Sequence, residues 1–276
     1  MTAQIRRVFL TPVTLLMIAT LAVPLVIVGV YSFLSRGAYG GVTPPFTLEN
    51  YTRLFDPLYG VILIRSFWIA GISTALCVLL GFPLALFIAQ SGPRKNFYLS
   101  LVILPFWTSF LIRTYAWMFL LRDTGLINTG LQSLHFIHAP LPMLYNDGAV
   151  ILGLVYGYLP FMVLPLFATL ERLDPNLLEA AADLGARPLE TLWRVTIPLA
   201  APGIRAGAIL TFVPCLGTYL TSDLLGGSKT ILVGNLVQNQ FTTSRDWPFG
   251  AAASIVLMAV AILLMFAARR KGEELL

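Results

Sequence analysis

Few side chains in this sequence are grouped in ways that could do chemistry. Gly226-Gly227-Ser228-Lys229-Thr230 ends like a phosphate-binding loop. Such a loop needs G-x4-G-K-[ST], so that bare backbone amides can close around phosphate oxygens. Asp223 and Ser228 stand at its two glycine positions, which argues against nucleotide hydrolysis by this chain. His135 and His138 are spaced for a shared metal ion, but no third ligand is near. Both histidines lie in one loop, and no nucleophile–histidine–acid set is visible. The residues point to no catalytic centre, no metal and no cofactor.

What remains is polar and aromatic chemistry set deep in apolar sequence. Arg113 stands among Trp107, Tyr115 and Trp117, while Asp223 follows Tyr219, Thr221 and Ser222. Tyr156 and Tyr158 lie in LVYGYLP. Polar groups inside a membrane span are costly, so they are functional candidates by default. The competing reading is that the aromatics pack between helices and that Asp223 faces water at a span end.

The elements that carry these residues follow from composition. The chain of 276 residues is 57% hydrophobic and 11% charged, with mean hydropathy +0.81. A soluble domain carries about a quarter charged residues, because its surface must be solvated. This is the composition of a membrane protein. Six windows are long enough to cross the hydrocarbon as helix: Val8–Leu34, Ser66–Ala89, Phe97–Leu121, Ala149–Leu170, Gly203–Thr221 and Phe249–Ala268. Backbone amides in lipid must be satisfied within the segment, and the runs are continuous rather than alternating, which favours helices over a barrel. The first window, after MTAQIRR, is too long for a signal peptide's apolar region and lacks an A-x-A-like site, so it reads as a retained helix. The expected fold is an all-α membrane protein, one transmembrane domain over residues 1–276 with six transmembrane helices.

Basic residues set the orientation. Arg6 and Arg7, Arg94 and Lys95, Arg172, Arg187 and Arg194, and Arg269, Arg270 and Lys271 all fall on one side of a six-span chain. Both termini are therefore expected in the cytoplasm. The net charge of +5 reflects this bias and does not imply a nucleic-acid partner. Cys77 and Cys215 lie inside spans, where they read as small apolar side chains unless their helices touch. Gly153-x3-Gly157 and Gly203-x3-Gly207 allow close helix crossings, and Pro160, Pro165 and Pro214 could kink their helices.

The cytoplasmic link from Glu171 to Pro202 is unusual in carrying dense charge between two spans. Asp174 followed by Pro175 starts a helix, NLLEAAADL continues it, and Gly185 offers a left-handed stop. Pro188 restarts a helix over LETLWRV and Pro198 is expected to close it. Leu177, Leu178, Ala181, Ala182 and Leu184 should share one face, as should Leu189, Leu192, Trp193 and Thr196. The product is a bent elbow that either docks another protein or lies on lipid headgroups.

Glu179-Ala180-Ala181, three residues, Gly185, then Ile197-Pro198 resembles the EAA loop of the permease subunits of bacterial ABC importers. Where that family ends in I-x-L-P, this chain has Val195 and Ile197. The resemblance implies the type I importer permease fold and makes Glu179, Ala180, Ala181, Asp183, Gly185, Arg187 and Pro198 the surface that enters a cleft on a separate ATPase. FTLENYTRLFDPLY, PFWTSFLIRTYAW, LVYGYLPFMVLPL, TSDLLGG and RDWPFGAA extend the likeness to the B-type subunit of the spermidine/putrescine branch.

By that likeness the chain is a non-catalytic subunit in the bacterial inner membrane. Its implied partners are a cytoplasmic ABC ATPase dimer, a C-type second permease, a periplasmic solute-binding protein, membrane lipid and a small-molecule substrate. A linear polyamine would seek carboxylates and aromatic faces, each cation–π contact contributing about 0.5–2 kcal/mol. Asp223, Tyr219, Trp107 and Tyr156 are accordingly the expected substrate pathway. Arg113 would repel such a solute and is expected to be structural, pairing with a carboxylate such as Asp223 or capping carbonyls at a helix break. Related branches import opines, phosphonates and amino-acid-like solutes. An ion-coupled secondary transporter would instead need internal repeats and more intramembrane acids, neither of which is evident.

Overall fold

Apolar runs become helices where the backbone must satisfy itself, and prolines, glycines and caps decide where each run stops. The structure is a computed structural model that describes residues 3–273; residues 1–2 and 274–276 of the expected membrane domain lie outside the described residues. Helix α1 spans Ala3–Ser32, followed by a hairpin of β1 (Leu34–Arg36) and β2 (Val42–Phe46). Then come α2 (Glu49–Arg53), α3 (Pro57–Gln90), α4 (Lys95–Ile103), α5 (Phe110–Leu121), α6 (Leu126–Ser133) and α7 (Asp147–Leu170). The chain continues through α8 (Pro175–Asp183), α9 (Pro188–Thr191), α10 (Ile197–Gly217), α11 (Val233–Phe241) and α12 (Trp247–Glu273). Among the described residues, five helices are long and apolar enough to cross a membrane, and a bent pair raises the number to six.

The bent pair replaces the straight third window. Gly92–Trp107 and Phe110–Ser133 meet at 89°. Pro105 brings no N–H to a helical ladder, and a tighter turn over Leu104–Trp107 takes its place. Thr108 (ψ 148°) and Ser109 (ψ 134°) are then extended before α5 begins. The fifth window also shifts. Its helix starts at Pro188, not Gly203, and stops at Gly217, where Thr218 is extended.

The described chain divides into two compact units. One runs to Val61 and includes Leu236–Ile262; the other comprises Ile62–Asn235 with a stretch from Leu263. In the first, β1 and β2 pair antiparallel with Ser35 opposite Thr43. Thr47 accepts the Glu49 N–H at 3.1 Å, as its position before α2 suggests. Buried Asn50 donates to the carbonyls of Ser32 and Leu34, holding the hairpin to α2. Asp246 is the anchor of this unit. Its carboxylate takes an Arg53 N–H at 2.9 Å and also accepts from the Phe249 N–H at the start of α12. Asp246→Ala is expected to cost about 2 kcal/mol in thermal unfolding, less than a fully buried pair because Arg53 remains 39% exposed. Asp246→Asn, which keeps the cap, should lose about half of that.

The second unit is built on α3, α7 and α10. Its core holds Cys77, Ala85 and Ile88 of α3, Met162, Val163, Leu166 and Phe167 of α7, and Ala200 of α10. Gly203 and Gly207 put the backbone of α10 against α7. A Cβ at Gly207 would lie 3.1 Å from the Met162 carbonyl oxygen, and one at Gly203 would lie 2.9 Å from that of Pro165. The expected close crossing is thus made by this pair of glycines. Cys77 and Cys215 are both buried and free, in keeping with small apolar side chains.

Candidate functional site

The elbow forms as its caps dictate. The Asp174 carboxylate accepts the Asn176 N–H at 3.0 Å, with Pro175 in the first turn of α8. At the other end Gly185 has φ +81°. Its N–H bonds the Ala182 carbonyl at 2.9 Å, while the Ala186 N–H bonds that of Ala181 at 3.0 Å. These two bonds with a left-handed residue between them are a Schellman stop, which reverses the chain towards α9. Arg187 is extended and precedes Pro188 at the start of α9.

Pro198 does not close the second arm. The helix runs on from Pro188 to Gly217 by way of one wide turn, Leu192–Thr196, in which bonds skip five residues. Pro198 has no N–H for the carbonyl four residues earlier, and the wide turn absorbs this. The extra residue also rotates the helix that follows. Neither expected face stays whole. Ala181 and Thr196 are buried, whereas Leu184 (89% exposed), Leu189 (72%) and Trp193 (68%) project outward. Glu179, Ala180, Asp183 and Arg187 are likewise exposed. Between the two arms lies a hollow bordered by Ala181, Leu184, Gly185, Glu190 and Arg194. Glu190 and Arg194 pair along one wall at 3.0 Å. At the root of the elbow, Glu171 meets Lys95 of α4 at 2.5 Å.

Such a surface, with large apolar side chains outward and charges around them, is suited to a protein cleft. Isolated exposed apolar groups are ordinary, but three on one small bent element form a patch.

The structure scatters the four expected pathway residues along the break in the third span, the middle of α7 and the link that follows α10. Trp107 is 83% exposed at that break. Tyr156 is partly exposed and meets Trp117 edge-on at 5.5 Å. Tyr219 and exposed Asp223 follow the end of α10, joined through the Asp223 N–H to the Tyr219 carbonyl at 2.9 Å. Arg113 forms no ion pair with Asp223 or any other carboxylate among the described residues. Its guanidinium instead lies over Phe106 at 4.8 Å and Phe110 at 5.7 Å, at the start of α5. Its Nε is buried without a hydrogen-bond partner.

Several polar groups were hidden from sequence reasoning. Arg65 donates to Asp147 at 2.6 Å and to the Lys229 carbonyl at 2.8 Å, and Thr230 also donates to Asp147. This cluster ties the starts of α3 and α7 to the link before α11. Asn235 accepts from Ser222 and from the Leu232 N–H, and donates to the Tyr219 carbonyl. It therefore positions the Tyr219–Asp223 segment. Four amides share the helix VGNLVQNQF, so sequence gives no sign that Asn235 is the one turned inward. Arg205 lies inside α10 among apolar neighbours.

Comparison with known proteins supplies what geometry leaves open. Residues 78–271 match the family described as binding-protein-dependent transport system inner membrane component. The spermidine/putrescine transport system permease protein PotB of Haemophilus influenzae is 44% identical, over 92% of this chain and 89% of that protein. The protein of the same name from Escherichia coli is 47% identical, over 87% of this chain and 88% of its own length. Among solved structures, a bacterial alginate ABC transporter, crystallised with its alginate-bound periplasmic protein, superposes with a TM-score of 0.78. It covers 96% of this chain and 92% of its own at 18% identity, a likeness of fold alone.

Proposed function

The chain belongs to the binding-protein-dependent transport inner-membrane family, and from that premise we propose that it is the B-type permease subunit of an importer for spermidine or putrescine. The observation that carries the solute is the 44–47% identity to PotB proteins over most of the chain. As a subunit of this family it conducts and does not catalyse. Hydrolysis of ATP belongs to a separate cytoplasmic ATPase dimer. A second, C-type permease completes the membrane part, and a periplasmic binding protein delivers the solute.

In this reading both termini and the Glu171–Pro202 link face the cytoplasm. The ATPase cleft receives the outward side of the elbow: Glu179, Ala180, Ala181, Asp183, Gly185 and Arg187, with Leu184, Leu189 and Trp193 as its apolar contacts. Pro198 belongs to the arm that carries this motion into α10. Closure of the ATPases moves the elbow, and continuous helix from Pro188 to Gly217 passes the displacement on to the break at Thr218. Asp223 and Tyr219 sit directly beyond that break, with Trp107 and Tyr156 on the neighbouring helices. They offer a carboxylate and aromatic faces to a linear polycation. Arg113, laid over two rings, holds the start of α5 and stays off the path. Family membership removes the case for an ion-coupled secondary transporter.

Cells lacking polyamine uptake, given this chain with its ATPase, C-type permease and binding protein, should accumulate labelled spermidine or putrescine in an ATP-dependent way. An excess of unlabelled polyamine should compete, and an opine or phosphonate should not. Uptake of neither polyamine, with the assembly intact in the membrane, overturns the solute assignment.

A further inference from the structure

A groove of about 260 Å³ opens on the second unit between α3, α10 and α12. Ile209, Phe212 and Val213 of α10 and Leu264 and Met265 of α12 line it, together with Arg205. Thr74 of α3 also lines it, with its hydroxyl turned to the Ala70 carbonyl at 2.7 Å. The remaining lining is apolar, so Arg205 borders the groove with its methylenes and carries its guanidinium at the margin. Arg205 spends its Nε–H on the Ala201 carbonyl, one turn back, at 3.2 Å. It meets no carboxylate within ion-pair distance among the described residues.

The position of this charge is specific. Helical side chains lean towards the N-terminus, and the bond to Ala201 shows Arg205 doing so. Its head therefore lies level with Ala201, about 24 Å from Gly217 at a rise of ~1.5 Å per residue. With one face of a hydrocarbon core of about 30 Å set at the end of α10, Gly217, the other face falls near Ile197, and on that placement the guanidinium snorkels to within roughly 6 Å of it. A planar fork at this depth suits a phosphodiester, and the apolar trough running from it towards the membrane centre suits an acyl chain.

We infer that this groove binds one anionic phospholipid from the leaflet nearer the elbow, with its phosphate on Arg205 and an acyl chain along Ile209, Phe212 and Leu264. A lipid here would fill the seam between α10, the helix that continues from the elbow, and α12. The inference is independent of which solute is transported.

The test uses the full transport assembly in nanodiscs holding equal phosphatidylglycerol and phosphatidylethanolamine, each in turn carrying a photo-reactive acyl chain. The phosphatidylglycerol probe should label α10 between Ile209 and Val213, and α12 near Leu264, about tenfold more than the ethanolamine probe, the worth of one charge-assisted contact. Arg205→Gln should bring the two to equality, and Arg205→Lys should keep most of the preference. Excess inorganic phosphate should leave the labelling unchanged. Equal labelling by both lipids in the unaltered chain overturns the proposal, as does displacement by inorganic phosphate. A photo-reactive residue at Ile209 that captures a neighbouring protein in place of lipid overturns it equally. Should Arg205→Gln fail to accumulate, the unaltered chain and Arg205→Lys decide by the same comparison.

Discussion

Polyamine uptake is expected to fall at least about tenfold in Gly185→Val, with the amount of chain in the membrane unchanged. The reason is backbone geometry rather than crowding. Gly185 has φ +81°, and a Cβ there would meet nothing within 4 Å. An L-residue in that conformation is strained by about 1–2 kcal/mol, more if β-branched. The exposed elbow has few contacts with which to resist, so it relaxes by opening the Schellman stop. Leu184 on one side of the turn and Leu189 on the other then lose their relative placement. Gly185→Asn is the informative control, because Asn enters the left-handed region far more readily. It should retain most uptake, whereas Gly185→Asp, adding a charge beside Asp183, should resemble Val. Full uptake by Gly185→Val would remove the elbow from the transport cycle.

Gly203→Leu with Gly207→Leu should abolish the folded chain, read as loss of the monodisperse peak and of the thermal transition in detergent. Each Cβ would press on backbone of α7, 2.9 Å from the Pro165 oxygen and 3.1 Å from that of Met162. Backbone cannot swing aside as a side chain can. Overpacking of this kind costs about 1–3 kcal/mol per site, and two sites on one crossing force α10 away from Leu166 and Val163 as well. Gly71→Ala in α3 should be harmless by the same measurement, since nothing lies within 4 Å of its Cβ. Retention of a normal transition by the double variant would show that α7 and α10 need not meet so closely.

How much of this was legible in the residues depends on the strength of each signal. Apolar runs of twenty or more residues have one solution in lipid, so the spans could be read directly. The caps of the elbow were equally plain, because Asp174-Pro175 and Gly185 each act within four residues. The right-angle break at Thr108 and Ser109 was not. Pro105 sits in a run as apolar as any other, and a proline by itself kinks a helix far less than 89°. The wide turn at Leu192–Thr196 was hidden for a related reason. It arises from Pro198 two residues further on, and it moves Leu189 and Trp193 outward while Thr196 turns inward. Helical-face arithmetic assumes an unbroken ladder and fails across such a turn. Arg113 was expected to pair with a carboxylate or to cap carbonyls at a helix break, and its guanidinium lies over aromatic faces beside that break. Asn235 and the Arg65–Asp147 pair depend on contacts between segments distant in sequence, which composition cannot reveal.

The break at Thr108 and Ser109 bears on how the cell must make this protein. The Thr108 N–H still reaches the Pro105 carbonyl at 3.3 Å, and the Ser109 carbonyl takes the Arg113 N–H at 3.1 Å. The first N–H groups of α5, however, have no carbonyl one turn back, and acyl chains offer nothing in exchange. That stretch has to be roofed by another polypeptide or by enclosed water. A solitary copy is thus expected to be the less stable form, seen as a fall of its level in the membrane when the partner permease is withheld.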